Sequence, residues 1–199
     1  MTDISIAASS IAAQAFRFME LSPPSSFQDD SPKAAAAKEQ YPLALGLCLE
    51  LYDWSFARKH ATLPPIAEGS IEYDDPQLPG QFSIPGDMVK IRSTVPEDVS
   101  WRLDGLRIFA SVTDALTIRY TYRVNNEALL PALFQTLVSY ELAVRLAPTY
   151  VSSRTKRAQL KEDMAGAFDM AKRTDGHTAS EKRYDGDDHF VDWAQEAIR

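Results

Sequence analysis

The run from Leu116 to Val124 alternates without a break. Leu116, Ile118, Tyr120, Tyr122 and Val124 are apolar, and Thr117, Arg119, Thr121 and Arg123 separate them. A period of two puts every apolar residue on one face of a strand, whereas a helix would scatter them around its axis. A second alternating pattern precedes it: Val99, Trp101 and Leu103, then Asp104-Gly105, then Leu106-Arg107-Ile108. Asp-Gly between such runs marks a tight hairpin, because turn residues there must reach positive φ. A two-residue loop at 104–105 would pair Leu103 with Leu106 and Trp101 with Ile108. Val89, Ile91 and Ser93 alternate with Lys90 and Arg92 as a further short strand. Residues 64–86 hold five prolines and three glycines and read mainly as loop. The expectation is an antiparallel meander of at least three strands.

Helical periodicity lies on both sides. Ile4, Ala8, Ile11, Ala15, Phe18 and Met19 predict a first helix that stops before Ser22-Pro23-Pro24. Ser31-Pro32 opens a second, as N-cap and first helical residue. Leu43, Leu47, Leu51 and Trp54 continue one face of it, and Pro42 and Gly46 predict a kink or break. From 127 to 147 apolar residues cover most of a helix, which marks a buried central element ended by Pro148, with Glu141 and Arg145 pairing on its polar side. A last helix over about 153–173 carries Leu160, Met164, Ala167, Phe168 and Ala171, with Arg154, Lys156, Arg157 and Lys161 at its start. The fold class is therefore α+β: a bundle of about four helices with an inserted β meander and an extended C-terminal arm. The boundaries are 1–57, 58–125, 126–175 and 176–199.

The arm differs in composition. Residues 176–199 contain six acids, three bases and two glycines, with Tyr184, Phe190, Val191, Trp193 and Ile198 as large apolar residues. These are too few for a separate core, so an arm that orders on a partner is expected. Aromatic anchors carry much of the energy at interfaces.

Signals for chemistry are sparse. A single cysteine, Cys48, excludes an internal disulfide framework, and with His60, His177 and His189 as the only histidines a metal centre is poorly provided for. Ser153-Arg-Thr-Lys156 matches S-x-x-K, but the S-D-N and K-T-G motifs that complete that chemistry are missing, so Ser153 reads as a helix start. Asp185-Gly-Asp187-Asp188-His189 lacks cation-loop spacing and reads as a solvated acidic stretch. No phosphate-binding, dinucleotide-binding or nucleophile-elbow motif occurs. No catalytic residue, cofactor or metal is expected. The net charge of −7 argues against a surface built to grip nucleic acid. No apolar run is long enough to span a membrane, and no basic segment precedes the N-terminal Ile/Ala stretch as in a signal peptide.

The order of elements carries a resemblance. Two helices end in Tyr52-Asp-Trp54-Ser-Phe56-Ala57. A β insertion follows with Phe82-Ser-Ile-Pro85-Gly-Asp87, Trp101, Asp104-Gly105 and Leu116-Thr-Ile-Arg-Tyr120-Thr-Tyr122. A helix with Glu141-Leu-Ala143-Val-Arg-Leu-Ala147, a basic helix and a segment with a late Trp complete the chain. In this order the chain resembles the head–tail adaptor proteins of tailed bacteriophages, especially the tail tubular protein A type, and their relatives in phage-derived gene transfer particles. The resemblance implies a structural ring subunit, usually of twelve copies, at the head–tail junction of the virion, assembled in the host cytoplasm. It would dock under the portal protein, present a platform for tail or nozzle proteins and line part of a conduit through which DNA passes without sequence-specific binding. The portal or neighbouring-subunit contacts would fall to Tyr184, Phe190, Trp193 and Ile198. The acidic balance suits a conduit, since weak attraction lets DNA slide. Two other classes stay open at this stage: a monomeric module binding a peptide or protein at the meander edge, and a small hydrolase, which would need a deep pocket with paired acid and base residues.

Overall fold

Four helices and six strands follow one another in the computed structural model, which describes residues 10–25, 29–66 and 75–178. The helices are α1 (Ser10–Phe18), α2 (Pro32–Leu51), α3 (Ala132–Tyr150) and α4 (Arg154–Thr178). The strands β1 (Arg58–Leu63), β2 (Gly80–Ser83), β3 (Met88–Val95), β4 (Trp101–Asp104), β5 (Arg107–Ala110) and β6 (Leu116–Tyr122) lie between α2 and α3. The fold is α+β.

α3 is the centre of the bundle. Leu137, Val138, Leu142 and Ala143 are fully buried, and α1, α2 and α4 all pack against it. The Glu141–Arg145 pair forms as expected, with Arg145 Nε donating to Glu141 Oε1 at 2.7 Å, but Glu141 is buried. Pro148 does not end the helix, which continues to Tyr150. A proline in the last turn removes a single helical bond. Tertiary contacts hold that turn: the Tyr150 ring meets Phe16 edge-on, and its hydroxyl donates to the Pro32 carbonyl at 3.1 Å.

α1 ends at a left-handed residue well before the prolines. Glu20 has φ 63°, Glu20 N donates to Arg17 O and Leu21 N donates to Phe16 O. That pair of bonds is the Schellman closure, with glutamate where glycine is usual. α2 starts as expected: Ser31 Oγ accepts from Ala34 N at 3.2 Å and Pro32 is the first helical residue. It then runs as one helix of 20 residues through Pro42 and Gly46, without the expected break. Its buried face is Ala34, Ala37, Tyr41, Ala44, Leu45, Cys48 and Leu49, not the Leu43–Leu47–Leu51 stripe. α2 is apolar on two sides, so periodicity alone could not choose between them.

The β unit is not a meander. It comprises two three-stranded antiparallel sheets, ordered β1-β6-β3 and β2-β5-β4. β2 falls within the stretch expected to be mainly loop. A Cβ at Gly80 would overlap the Val112 carbonyl, so a glycine lets β2 lie close against the turn after β5. The β4–β5 hairpin exists, but its register differs from expectation. Asp104 pairs with Arg107, Leu103 with Ile108 and Trp101 with Ala110. The loop is Gly105-Leu106, with Gly105 alone at positive φ, 58°. Glycine in the first loop position is what a type II′ turn requires, and the aspartate before it remains in the strand. Leu63, Phe82, Ile91, Val99, Ile108, Ala110, Leu116, Ile118 and Tyr120 form a core shared by both sheets.

α4 extends five residues past the expected end, to Thr178, so its last turn includes Gly176 and the expected 176–199 arm starts inside a helix. Leu160 and Ala171 are buried; Met164, Ala167 and Phe168 pack partly against the bundle. Ser153 caps this helix, its Oγ accepting from Lys156 N at 3.2 Å. Lys156 Nζ instead reaches Glu20 Oε1 at 2.7 Å. Among the described residues no helix is long and apolar enough to cross a membrane.

Candidate functional site

The Trp54–Ala57 run joins the end of α2 to the helices packed beside it. Trp54 is buried, and its Nε1 donates to the Cys48 carbonyl at 2.8 Å. Its ring stands edge-on to Phe134 at 5.0 Å and to Phe168 at 6.2 Å, and Phe56 meets Phe134 at 4.9 Å. Asp175 of α4 accepts from Ser55 N at 3.0 Å and from Ser55 Oγ at 2.6 Å. The W-x-F-A run thus fastens α2 to α3 and α4. A small cavity of about 130 Å³ lies here, walled by Trp54, Phe56, Pro131, Leu133, Phe134 and Ala171. Its one ionisable wall residue is Asp175, which is engaged by Ser55.

A polar group binds the sheets to the same corner. Arg92 of β3 donates from Nη2 to the carbonyls of Leu49 (3.1 Å), Glu50 (3.1 Å) and Tyr52 (2.6 Å). Its Nε donates to Thr121 Oγ1 at 2.8 Å. The end of a helix leaves unpaired carbonyls, and here Trp54 and Arg92 together take up those of Cys48, Leu49 and Glu50. Burial lowers the Arg92 pKa, while Asp53 and Glu50 oppose that shift. Asp53 pairs with Arg58 at 3.0 Å and Arg119 at 3.5 Å. Asp87, from the P-x-D run, accepts from Lys59 at 2.6 Å and from the Tyr120 hydroxyl at 3.1 Å. Partial burial raises the Asp87 carboxyl, but the bonds from Lys59 and Tyr120 and the Lys59 charge outweigh it and hold it below the usual range. Cys48 is buried on the bundle side of α2; burial first, and Glu141 second, push its thiol far above the ordinary value. Arg92, Asp53 and Asp87 thus tie the β unit together and fasten it to the end of α2.

Among the described residues, exposed large apolar side chains gather in two groups, while Val95, Leu129 and Met170 are exposed singly. On α2, Leu43, Leu47 and Leu51 are 53%, 37% and 49% exposed, one turn apart. On the β4–β5 hairpin, Trp101, Leu103 and Leu106 are 39%, 43% and 75% exposed. β4 is an edge strand whose four residues are all exposed. Residues at successive helical turns, or around one hairpin tip, give continuous apolar surface of the kind that marks association. The expected docking residues Tyr184, Phe190, Trp193 and Ile198, and with them the 185–189 acidic stretch, lie outside the described residues. The sequence shows Leu43, Leu47 and Leu51 as one helix face but not that this face is exposed, and nothing local to Arg92 names its partners.

Among the described residues no three His, Cys, Asp or Glu side chains come together as a metal-binding set. No protein-family model matches the chain, and no curated protein matches it.

Proposed function

We propose that the chain is a head–tail adaptor subunit of a phage or phage-derived particle. In this reading it forms a ring, of twelve copies by the resemblance, under the portal protein at the head–tail junction of the virion. It offers a platform to tail or nozzle proteins, and DNA passes through without sequence-specific binding. The observation that carries this reading is the pair of exposed apolar surfaces on different elements, the α2 leucine stripe and the β4–β5 hairpin. A ring is built head to tail, so each subunit needs two different complementary patches. A subunit whose α2 stripe meets the hairpin of its neighbour meets that requirement.

Sedimentation of the full chain tests the assembly. Leu47→Glu and Leu106→Glu should each abolish the ring, and a mixture of the two should stop at dimers, because one intact stripe can still meet one intact hairpin. Rings formed by either variant alone would refute the pairing. Deleting the gene should leave DNA-filled or leaking heads without tails by electron microscopy; normal tailed particles would refute the adaptor role. The exposed edge of β4 favours one other reading, a monomeric module that captures an extended peptide by strand addition. A chain that stays monomeric at high concentration and binds such a peptide would establish it.

A further inference from the structure

One groove is built differently from both apolar surfaces. It lies between α3 and the start of α4, encloses about 330 Å³ and has Val144, Ala147 and Pro148 as its apolar floor. Arg154, Arg157 and Lys161 rim it at one-turn spacing, beside Ala158. Among the described residues these three cations form no ion pair. Three cations crowded into the first turns of a helix oppose its dipole. In a chain of net charge −7 this concentration of unpaired positive charge over an apolar floor suits an occupant that is acidic and carries large apolar side chains.

The sequence contains such a segment. Residues 185–199 hold five acids (Asp185, Asp187, Asp188, Asp192, Glu196) against one base, Arg199, and they carry Phe190, Val191, Trp193 and Ile198. The α2 stripe is a poorer match, because the acids of that helix (Glu39, Glu50) are balanced by its bases (Lys33, Lys38) and leave no net positive charge. We propose that residues 185–199 of the same chain dock in the Arg154–Arg157–Lys161 groove. Phe190 and Trp193 lie on the Val144–Ala147–Pro148 floor and Asp188, Asp192 and Glu196 meet the cations. Chain length permits it. From Thr178 back to Arg157, α4 measures about 32 Å, and the chain from Thr178 to Phe190 reaches up to about 40 Å when extended. This inference goes beyond the adaptor reading and does not depend on it. If both hold, the segment must leave the groove before it can dock on a portal.

Disulfide trapping in the full-length protein tests the proposal. Cys48 is fully buried and its thiol pKa is raised, so it does not compete. The A158C/A194C variant should close to a monomeric disulfide several-fold faster than the L47C/A194C control. The advantage should vanish at 1 M salt, where charges are screened within about 3 Å. Adding Arg157→Glu and Lys161→Glu should abolish the advantage, and further adding Asp188→Lys and Asp192→Lys should restore it, which separates docking from misfolding. Equal rates for the two pairs would overturn the proposal. A disulfide-linked dimer would place the segment on a second copy and overturn the intrachain arrangement. Failure to cross-link, with a short DNA duplex binding the groove in a manner lost on R157E/K161E, would assign the groove to nucleic acid instead.

Discussion

In the bundle, Trp54, Phe56, Phe134 and Phe168 interlock at ring distances of 4.9 to 6.2 Å where the end of α2 meets α3 and α4. In the β unit, nine smaller or isolated side chains form the core, and its outermost strand buries none of its four residues. Polar ties do more there: Asp87 holds Lys59 and Tyr120, and Asp53 holds Arg58 and Arg119. The difference teaches a division of labour. The bundle supplies stability by burying large apolar surface. The β unit is fastened to it through Arg92 and keeps apolar residues outside, at the hairpin tip.

Four substitutions sharpen that contrast. Phe134→Ala should have the largest effect, a loss of about 3–5 kcal/mol on chemical denaturation, because it opens a cavity under Trp54 and Phe56. A loss under 1 kcal/mol would mean the ring cluster is not the keystone. Arg92→Ala leaves the part-buried carbonyls of Leu49 and Tyr52 without this partner, and burial of unpaired polar groups costs about 1–3 kcal/mol. Hydrogen exchange should then show the β unit opening ahead of the bundle; uniform opening would show that Arg92 does not couple them. Gly46→Ala should stabilise by about 0.5–1 kcal/mol, since a Cβ at that helical position meets nothing and the unfolded chain loses freedom. A drop in melting temperature would mean that the Pro42–Gly46 stretch needs glycine.

The smallest effect concerns pH. Asp87 has a folded pKa below its unfolded value, so it binds a proton less readily when folded. Its contribution is therefore fully present above the unfolded carboxylate range, near pH 4, and is lost as pH falls through the lower folded value. Both partners are more than a third exposed, which limits the Asp87–Lys59 pair to a few tenths of a kcal/mol. Asp87→Asn should remove that part of the acid dependence, seen as a smaller stability change between pH 6 and pH 3 than in the parent. An unchanged profile would show that Asp87 contributes nothing to it.

The sequence by itself determined the helix–strand–helix order and the kinds of most elements, although β2 lies in a stretch that reads as loop. Period two at 116–124, helical period on both sides and the Ser31-Pro32 start are local facts, and local backbone preference expresses them directly. It also marked α3 as central, because a helix apolar nearly all round has no choice but burial, and it placed Ser153 at a helix start. Tertiary structure decided the rest. Which face of α2 turns inward depended on α3, since both faces are apolar. The split into two sheets depended on strand partners far apart in sequence, and alternation records only that a strand has two faces, not what lies beside it. The hairpin moved its loop by one residue because Gly105 alone takes positive φ. Pro42 and Pro148 stayed within helices because packing on neighbouring helices outweighs the loss of one bond. Arg92 found the end of α2 through space, across more than 40 positions of chain, a relation that no local pattern records.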